Sequence, residues 1–298
     1  MAPRKLFALS LLISIVGLAS AALSAPIASG DLIAVTGSSC CSSSPSDFPN
    51  VYQLDSTGSF KRFWFSPFAP SDIAVDKAGH VLFGSTGSGN IVMTDTSGSF
   101  LGFINSPVPQ VNGLGVASDG SLIVASGNSI YHLDAQGHFL SLTFSPISFS
   151  GNASIGVLGD NTVVFADPNN NGCCGSTPEK LDLFNIDTRV MTQVTTPLTS
   201  ISALDVSETG DFWVAGSTSG FNPFNPSNTI FELDPTGKEI TSIIGPQNIS
   251  ALAIANLPEP NVGLLVGVGF SMLAIKRKRE IRALERGSDR SSWHRSTD

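Results

Sequence analysis

The chain has 298 residues, 41% of them hydrophobic and 13% charged, with 29 Gly and 18 Pro. There is enough apolar residue for a large core, and too much turn-forming residue for a fold of long amphipathic helices. The formal net charge is −8, but between residues 26 and 275 six basic side chains face twenty acidic ones, six minus twenty leaving −14, and a body so acidic repels nucleic-acid phosphates and anionic lipid and excludes nucleic acid as a partner.

At the N-terminus, Arg4 and Lys5 precede the apolar stretch Leu6–Leu18, and Ala19-Ser20-Ala21 follows as an A-x-A cleavage site. This is the order of a secretory signal peptide over residues 1–21, with an apolar run too short to span a bilayer comfortably. The rest of the chain is expected to be exported.

The body, residues 31–256, repeats itself. An apolar strand, a turn and a second apolar strand run through DIAVDKAGHVLFG from Asp72, and recur as GLGVASDGSLIVA from Gly113, SIGVLGDNTVVFA from Ser154 and ALDVSETGDFWVA from Ala203. A second unit is a strand ending in an Asp turn: VYQLDSTG from Val51, IVMTDTSG from Ile91, IYHLDAQG from Ile130 and IFELDPTG from Ile230, with LFNIDTRV from Leu183 as a degenerate copy. In Asp-x-x-Gly the Asp bonds the following backbone and the Gly takes positive φ, the requirements of a tight turn between antiparallel strands.

Four strands per repeat of this length is the period of a β-propeller blade. The first copy begins in mid-unit at Asp31-Leu32-Ile33-Ala34-Val35, and the last segment, Ser250-Ala251-Leu252-Ala253-Ile254, is an inner strand with nothing after it. The fragments complement each other, so the expected fold is all-β: five four-stranded blades, closed by the C-terminal strand. A two-sheet β-sandwich is the alternative. The repeats resemble NHL-type and lactonase-like propellers through their G-[IL]-x-V-x-x-x-G-x-[LV]-[VF]-V-[AG] and L-D-x-x-G segments. That resemblance implies a fold and leaves the activity open, because the motifs are structural.

Chemistry is sparse along these strands. The alternate inner-strand positions are Ala74, Gly115, Gly156, Asp205 and Ala253, small residues that let five strands converge on one axis. Asp72, Asp76 and Asp205 are the acids on those strands or their ends, too few for the four-ligand metal site of a lactonase-like hydrolase. His80 and His138 fall in or beside turns, His294 in the tail, and His132 on a strand where other copies carry Gln53, Met93, Asn185 and Glu232. No G-x-S-x-G elbow, Walker loop or His-Glu metal pair occurs, so no catalytic residue and no cofactor is assigned.

Cys40-Cys41 and Cys173-Cys174 lie in equivalent loops of copies one and four and are expected to be oxidised after export. Bridges between the two loops and a bridge within each pair both remain open, the second strained because neighbouring residues in the chain sit too close together. Phe221, Asn222, Phe224 and Asn225 occupy the corresponding loop of copy five, and the three loops would form a raised Ser, Asn and Phe patch suited to carbohydrate or peptide. Asp167, Asn169 and Asn171 match the first half of a calcium loop, but Pro178 stands at position twelve, where such a loop needs Glu, and a simple turn fits better.

At the C-terminus, Leu257-Pro258-Glu259-Pro260 leads into the apolar stretch Val262–Ile275 and then Lys276-Arg277-Lys278-Arg279. Fourteen helical residues cover about 21 Å, a marginal membrane anchor whose basic end stays cytoplasmic. The order Pro-Glu-Pro, apolar helix and basic cluster over residues 257–279 resembles the PEP-CTERM sorting signal of bacterial surface proteins. The resemblance implies that Pro258, Glu259 and Pro260 are read by an exosortase-type enzyme and that Lys276, Arg277, Lys278 and Arg279 stop transfer. It further implies residence in the inner membrane before processing, then at the cell surface or outside it, among exopolysaccharide and biofilm components. The polar tail 280–298, expected to be disordered, departs from the pattern, in which chains end at the basic cluster. The expected function is an exported interaction module for exopolysaccharide or envelope components. A metal-dependent hydrolase on the same fold and a passive spacer are the alternatives.

Overall fold

In the computed structural model the described residues are 27–37, 49–66, 68–149, 151, 153–166, 178–218 and 229–257. The chain divides into two compact units, one running to Leu257 and the other beginning at Pro258. In chain order the strands are β1 (Leu32–Thr36), β2 (Asn50–Leu54) and β3 (Phe60–Phe65); β4 (Ile73–Val75), β5 (Val81–Phe83), β6 (Ile91–Thr94) and β7 (Phe100–Ile104); β8 (Gly113–Val116), β9 (Leu122–Leu133) and β10 (Phe139–Phe149). There follow β11 (Ile155–Leu158), β12 (Thr162–Ala166), β13 (Lys180–Asn185) and β14 (Met191–Thr195); β15 (Ser200–Val206), β16 (Phe212–Ser217), β17 (Thr229–Leu233) and β18 (Glu239–Ile244); and finally β19 (Ile249–Ile254). They form five antiparallel sheets, ordered β19-β1-β2-β3, β4-β5-β6-β7, β8-β9-β10, β11-β12-β13-β14 and β15-β16-β17-β18.

The architecture is a five-blade β-propeller. The innermost strands touch in the order β19, β4, β8, β11, β15, and β15 meets β19 again. Closure comes from the C-terminal strand: β19 pairs antiparallel with β1 from Leu32↔Ile254 to Val35↔Ala251, so the first blade is built from both ends of the repeat. Blade three uses one continuous element for its two middle positions. The first half of β9 pairs with β8 and the second half with β10, and Gly127 between them takes φ 55, the left-handed conformation a two-residue reversal requires.

The core lies between blades rather than within one sheet. Five apolar clusters each draw side chains from two neighbours: Val35 and Val51 with Ile73 and Phe83, Leu82 and Ile104 with Leu114 and Val124, Ile123 and Ile130 with Val163 and Phe165, Val164 and Leu181 with Leu204 and Val214, and Ala203 and Trp213 with Leu32 and Ala34. Five interfaces for five blades leave no open side of the ring. Burial of each such side chain contributes about 1.5–3 kcal/mol, which makes these faces the main source of stability.

Close approach explains the small inner-strand residues. A Cβ at Gly156 would lie 2.6 Å from Val206 Cγ2, and one at Gly115 would lie 2.5 Å from Val157 Cγ2. Any side chain there would push the neighbouring blade outward.

The Asp turns stitch the circumference. In the turn after β6, Asp95 Oδ1 accepts from Ser97 N–H at 2.8 Å and Ser99 N–H at 2.9 Å, and Gly98 has φ 83. A Cβ at Gly98 would lie 2.3 Å from Trp64 Cδ1 of the preceding blade, so this glycine is needed for its conformation and for its size. Gly58, Gly137 and Gly237 press in the same way on Ile243, Ile104 and Thr195 of the blades before them. Blade four departs from the repeat as read in the sequence. There Asn185, not Asp187, caps the turn, its Oδ1 accepting from Asp187 N–H and Thr188 N–H, and Arg189 takes φ 58.

Candidate functional site

Two places combine unusual chemistry with position: the axis and the rim. At the axis each innermost strand has an edge with no further strand to pair with, and buried N–H groups there need acceptors. Asp72, just before β4, supplies them across three blades. Its Oδ2 accepts from Leu114 N–H of β8 at 2.9 Å and Ile155 N–H of β11 at 3.0 Å, while Ser154 Oγ lies 3.2 Å from Oδ1. Ser154 Oγ also donates to Leu204 O and accepts from Leu204 N–H, each at 3.0 Å, which carries the link to β15. Asp205 continues it to the closing strand, its Oδ2 accepting from Ile254 N–H at 2.8 Å.

Burial dominates both carboxyls. Asp72 has no exposed surface, and its pKa is pushed well above the usual carboxylate range; hydrogen bonds to backbone N–H groups oppose the shift, and the nearby Asp205 adds to it. Asp205 keeps a small accessible surface yet is densely surrounded, and burial pushes it up to about 7. Ser154 has one hydroxyl hydrogen, with Leu204 O at 3.0 Å and Asp72 Oδ1 at 3.2 Å both within its reach, and burial favours the neutral form of the Asp72 carboxyl. This arrangement joins blades, as a sixth strand would; among the described residues no group of three or more His, Cys, Asp or Glu could hold a metal ion.

Elsewhere the polar residues that stand out in the sequence serve local structure. Asp76 Oδ2 and His80 Nδ1 meet at 2.8 Å within one turn, as do Asp134 and His138, and His132 Nε2 is 2.7 Å from Ser121 Oγ. Lys77 reaches from blade two to Glu208 of blade five at 2.6 Å, over the turn end of the inner strands.

At the rim the usual rule of polar outside and apolar inside is reversed. On β3, Lys61 and Arg62 turn inward. Lys61 Nζ donates to the buried Asp31 at 2.5 Å, Arg62 Nε donates to Gln53 Oε1 at 2.6 Å, and Gln53 Nε2 donates to Asp31 at 2.6 Å. Arg62 also lies 5.2 Å from the Trp64 ring centre. With the charges drawn in, Phe60, Phe63 and Phe65 stand out, 58%, 56% and 66% exposed. Phe100, Leu101 and Phe103 on β7, and Phe139, Leu140, Leu142 and Phe144 on β10, are exposed in the same way. Geometry permits it: successive strands about 4.8 Å apart carry the outermost strand about 14 Å beyond the innermost, where blades that touch at the axis have diverged. The rings make open clusters. Phe63 meets Phe65 edge-on at 6.0 Å, Tyr52 lies 6.3 Å from Phe63 and 6.4 Å from Phe60, and Phe100 lies 5.0 Å from Phe103. Exposed apolar surface is on the order of 300–400 Å² on each of these three outer strands, the size of the largest single patch on an ordinary monomer, repeated on three blades. None of β3, β7 or β10 carries an Asp or Glu.

The rim is a site that motif reading misses, although the sequence holds a signal for it. A phenylalanine follows the turn glycine by two positions in three copies, at Phe60, Phe100 and Phe139. The residues that the sequence marks for binding, bridging, calcium and sorting lie outside the described residues: Phe221, Asn222, Phe224, Asn225, Cys40, Cys41, Cys173, Cys174, Asp167, Asn169, Asn171, Pro258–Pro260 and Lys276–Arg279, together with the signal peptide and the apolar stretch 262–275. The ends of the three long loops are described. They leave blades one, four and five between the second and third strands, from Thr36↔Asn50, Ala166↔Leu181 and Gly216↔Thr229.

No protein-family model and no curated protein matches the chain. Solved structures do. A protein of unknown function from Bacteroides caccae is 15% identical with a TM-score of 0.49, over 76% of this chain and 98% of that one. U3-55K is 10% identical with a TM-score of 0.39, over 65% of this chain and 58% of its own. The β-propeller domain of Myceliophteria thermophila Cps50 (Swd1) is 13% identical with a TM-score of 0.37, over 60% and 56%. The chain spans little more than half the length of the last two. Likeness at this level says nothing of function, and the fold assignment stands on the strand pairing described above.

Proposed function

We propose that the protein is an exported interaction module whose propeller binds a neutral, extended glycan or another envelope component at its rim. The observation that carries the proposal is the exposed aromatic surface of β3 and β7, in a body otherwise rich in acid. Phenyl faces pack against the C–H faces of sugar rings while the sugar hydroxyls keep their water. Export and sorting are supported by the signal-like residues 1–21 and by the resemblance of residues 257–279 to a PEP-CTERM signal, which would place the propeller among exopolysaccharide.

The test is co-sedimentation of the full chain with exopolysaccharide from the producing cells. Wild type should pellet with the polymer, and the pairs Phe63→Ser/Phe65→Ser and Phe100→Ser/Phe103→Ser should each weaken binding about tenfold or more. Wild type that stays in solution, or variants that bind as tightly, would overturn the proposal. Intact mass of the native protein tests sorting separately. Processing predicts a species starting near Ala22 and ending near Pro258–Pro260, whereas a chain retaining Lys276–Asp298 and found only in membranes contradicts it.

A further inference from the structure

In four of the blades the innermost strand turns directly into the second. Blade one has no such turn, because its innermost strand, β19, comes from one end of the repeat and its second strand, β1, from the other. The break is sealed from three sides. Across it, Gly30 N–H donates to Ala255 O at 2.9 Å and Ala255 N–H donates to Asp31 O at 2.8 Å, which carries the pairing of the two ends past Ile254. Asn256 is then held by both neighbouring blades. Its Nδ2 donates to Val206 O at 2.9 Å and its Oδ1 accepts from Glu208 N–H at 3.1 Å, both in blade five, while its carbonyl oxygen accepts from Lys77 Nζ of blade two at 3.2 Å. The same ammonium pairs with the Glu208 carboxylate, so one side chain ties Asn256 to the blades on either side of it. Leu257 packs on the apolar cluster between blades one and two, which also takes Ile27, and its side chain lies 3.7 Å from where a Cβ at Gly79 would stand.

The seal ends at Leu257, and a second unit of the chain begins at the next residue, Pro258. Pro258–Pro260 is the motif that the sorting proposal gives to a processing enzyme. A protease needs the backbone on both sides of the scissile bond to leave its own hydrogen bonds, so a bond inside folded structure is cut at a rate set by how often that structure opens. We propose that the sealed break is a gate on processing. With the ring closed, the bonds from Ile249 to Leu257 are withheld and cleavage is confined to the chain beyond Leu257. A chain that has not closed its ring is open to cutting within β19 and then loses the strand that it needs for closure. Processing of a closed ring therefore releases a whole propeller. The cellular use of the gate rests on the sorting proposal, whereas the protection itself is a property of the ring.

The test is digestion of the full chain, in a neutral detergent, by elastase, which cuts after small residues and has sites at Ala251, Ala253 and Ala255. The rate at Ala255–Asn256 is compared with that in a free peptide of the same sequence, residues 250–260. Wild type should be cut there about a hundredfold more slowly than the peptide, or slower still. Asn256→Ala, which removes two hydrogen bonds to blade five, should lose about tenfold of that protection, and Lys77→Met, which removes the third bond and the ion pair, about threefold. Cuts throughout the propeller of Asn256→Ala would mean that the ring itself has opened, and Lys77→Met then decides. A wild type cut as fast as the peptide, or variants as protected as wild type, would overturn the proposal. In cells the released protein should end at or beyond Leu257, and a released species ending between Ile249 and Asn256 would refute the gate. A tail that is never removed, with the protection present in the digestion, would count against the sorting proposal alone.

Discussion

Replacing Asp72 by Asn isolates the axial bridge and its proton. In the native site Oδ2 takes two backbone N–H groups, from Leu114 and Ile155, while Oδ1 faces Ser154 Oγ. An Asn with its oxygen in the Oδ2 position keeps both, and its amide nitrogen donates to Ser154 Oγ as a protonated carboxyl does. The substitution should therefore cost less than about 1 kcal/mol near pH 4.5, whereas Asp72→Ala, which orphans the two buried donors, should cost about 3–5 kcal/mol. The pH dependence separates the states. Burial raises the Asp72 pKa in the folded protein, so between about pH 4 and that raised value the folded state holds a proton that the unfolded state has released. Wild type then loses about 1.4 kcal/mol of stability per pH unit from this group, and the Asn variant does not. The turn carboxyls Asp55, Asp95, Asp134 and Asp234 are shifted down by their hydrogen bonds and contribute the opposite slope, but equally to both proteins. Urea unfolding followed by tryptophan fluorescence at about pH 4.5, 5.5 and 6.5 should show the variant gaining on wild type as the pH rises. A difference that is flat or narrows with pH would mean that Asp72 is ionised in the fold, and the proton assignment would be wrong.

Asp205→Asn should flatten the same pH profile up to about pH 7, where the folded-state carboxyl titrates, and a profile unchanged from wild type would count against its burial. Gly98→Ala should destabilise by about 2–4 kcal/mol, combining left-handed strain with a Cβ 2.3 Å from Trp64, while Gly151→Ala, with φ 65 and nothing within 4 Å, should cost about 1–2 kcal/mol; equal melting-temperature losses would deny the packing role of the turns. Deleting Ser250–Ile254 removes the partner of β1 and should give an insoluble or partly unfolded chain, so a truncation that melts like the parent would sink the closed ring.

The ring is legible in the sequence because its repeats are local patterns with a fixed period. The inner strands, the small residues at 74, 115, 156 and 253, and the complementary ends that become β1 and β19 all follow from reading equivalent positions together. What distance along the chain conceals is not legible. Asp72 bonds partners 42 and 83 residues away, and no spacing rule marks an acid that will accept from two other blades. The exposed phenylalanines illustrate a different difficulty. Apolar residues in a strand pattern read as core, and only the splay of five blades decides which side chains of the fourth strand meet no neighbour. Lys61 and Arg62 would ordinarily mark the solvent side of β3, yet the buried Asp31 and Gln53 draw them inward. In blade four, the Asp that matches the motif is two residues from the Asn that performs its role.

The last strand closes the ring, and deuterium exchange on the full chain measures that closure directly. Between β15 and the first blade, β19 should be protected along Ile249–Ile254 to the degree of the central strand β16, with β1 equally protected from both sides. Rapid exchange at Ile249–Ile254 beside a protected β2 would mean that the first blade is open, and the propeller as described would not be the state of the protein in solution.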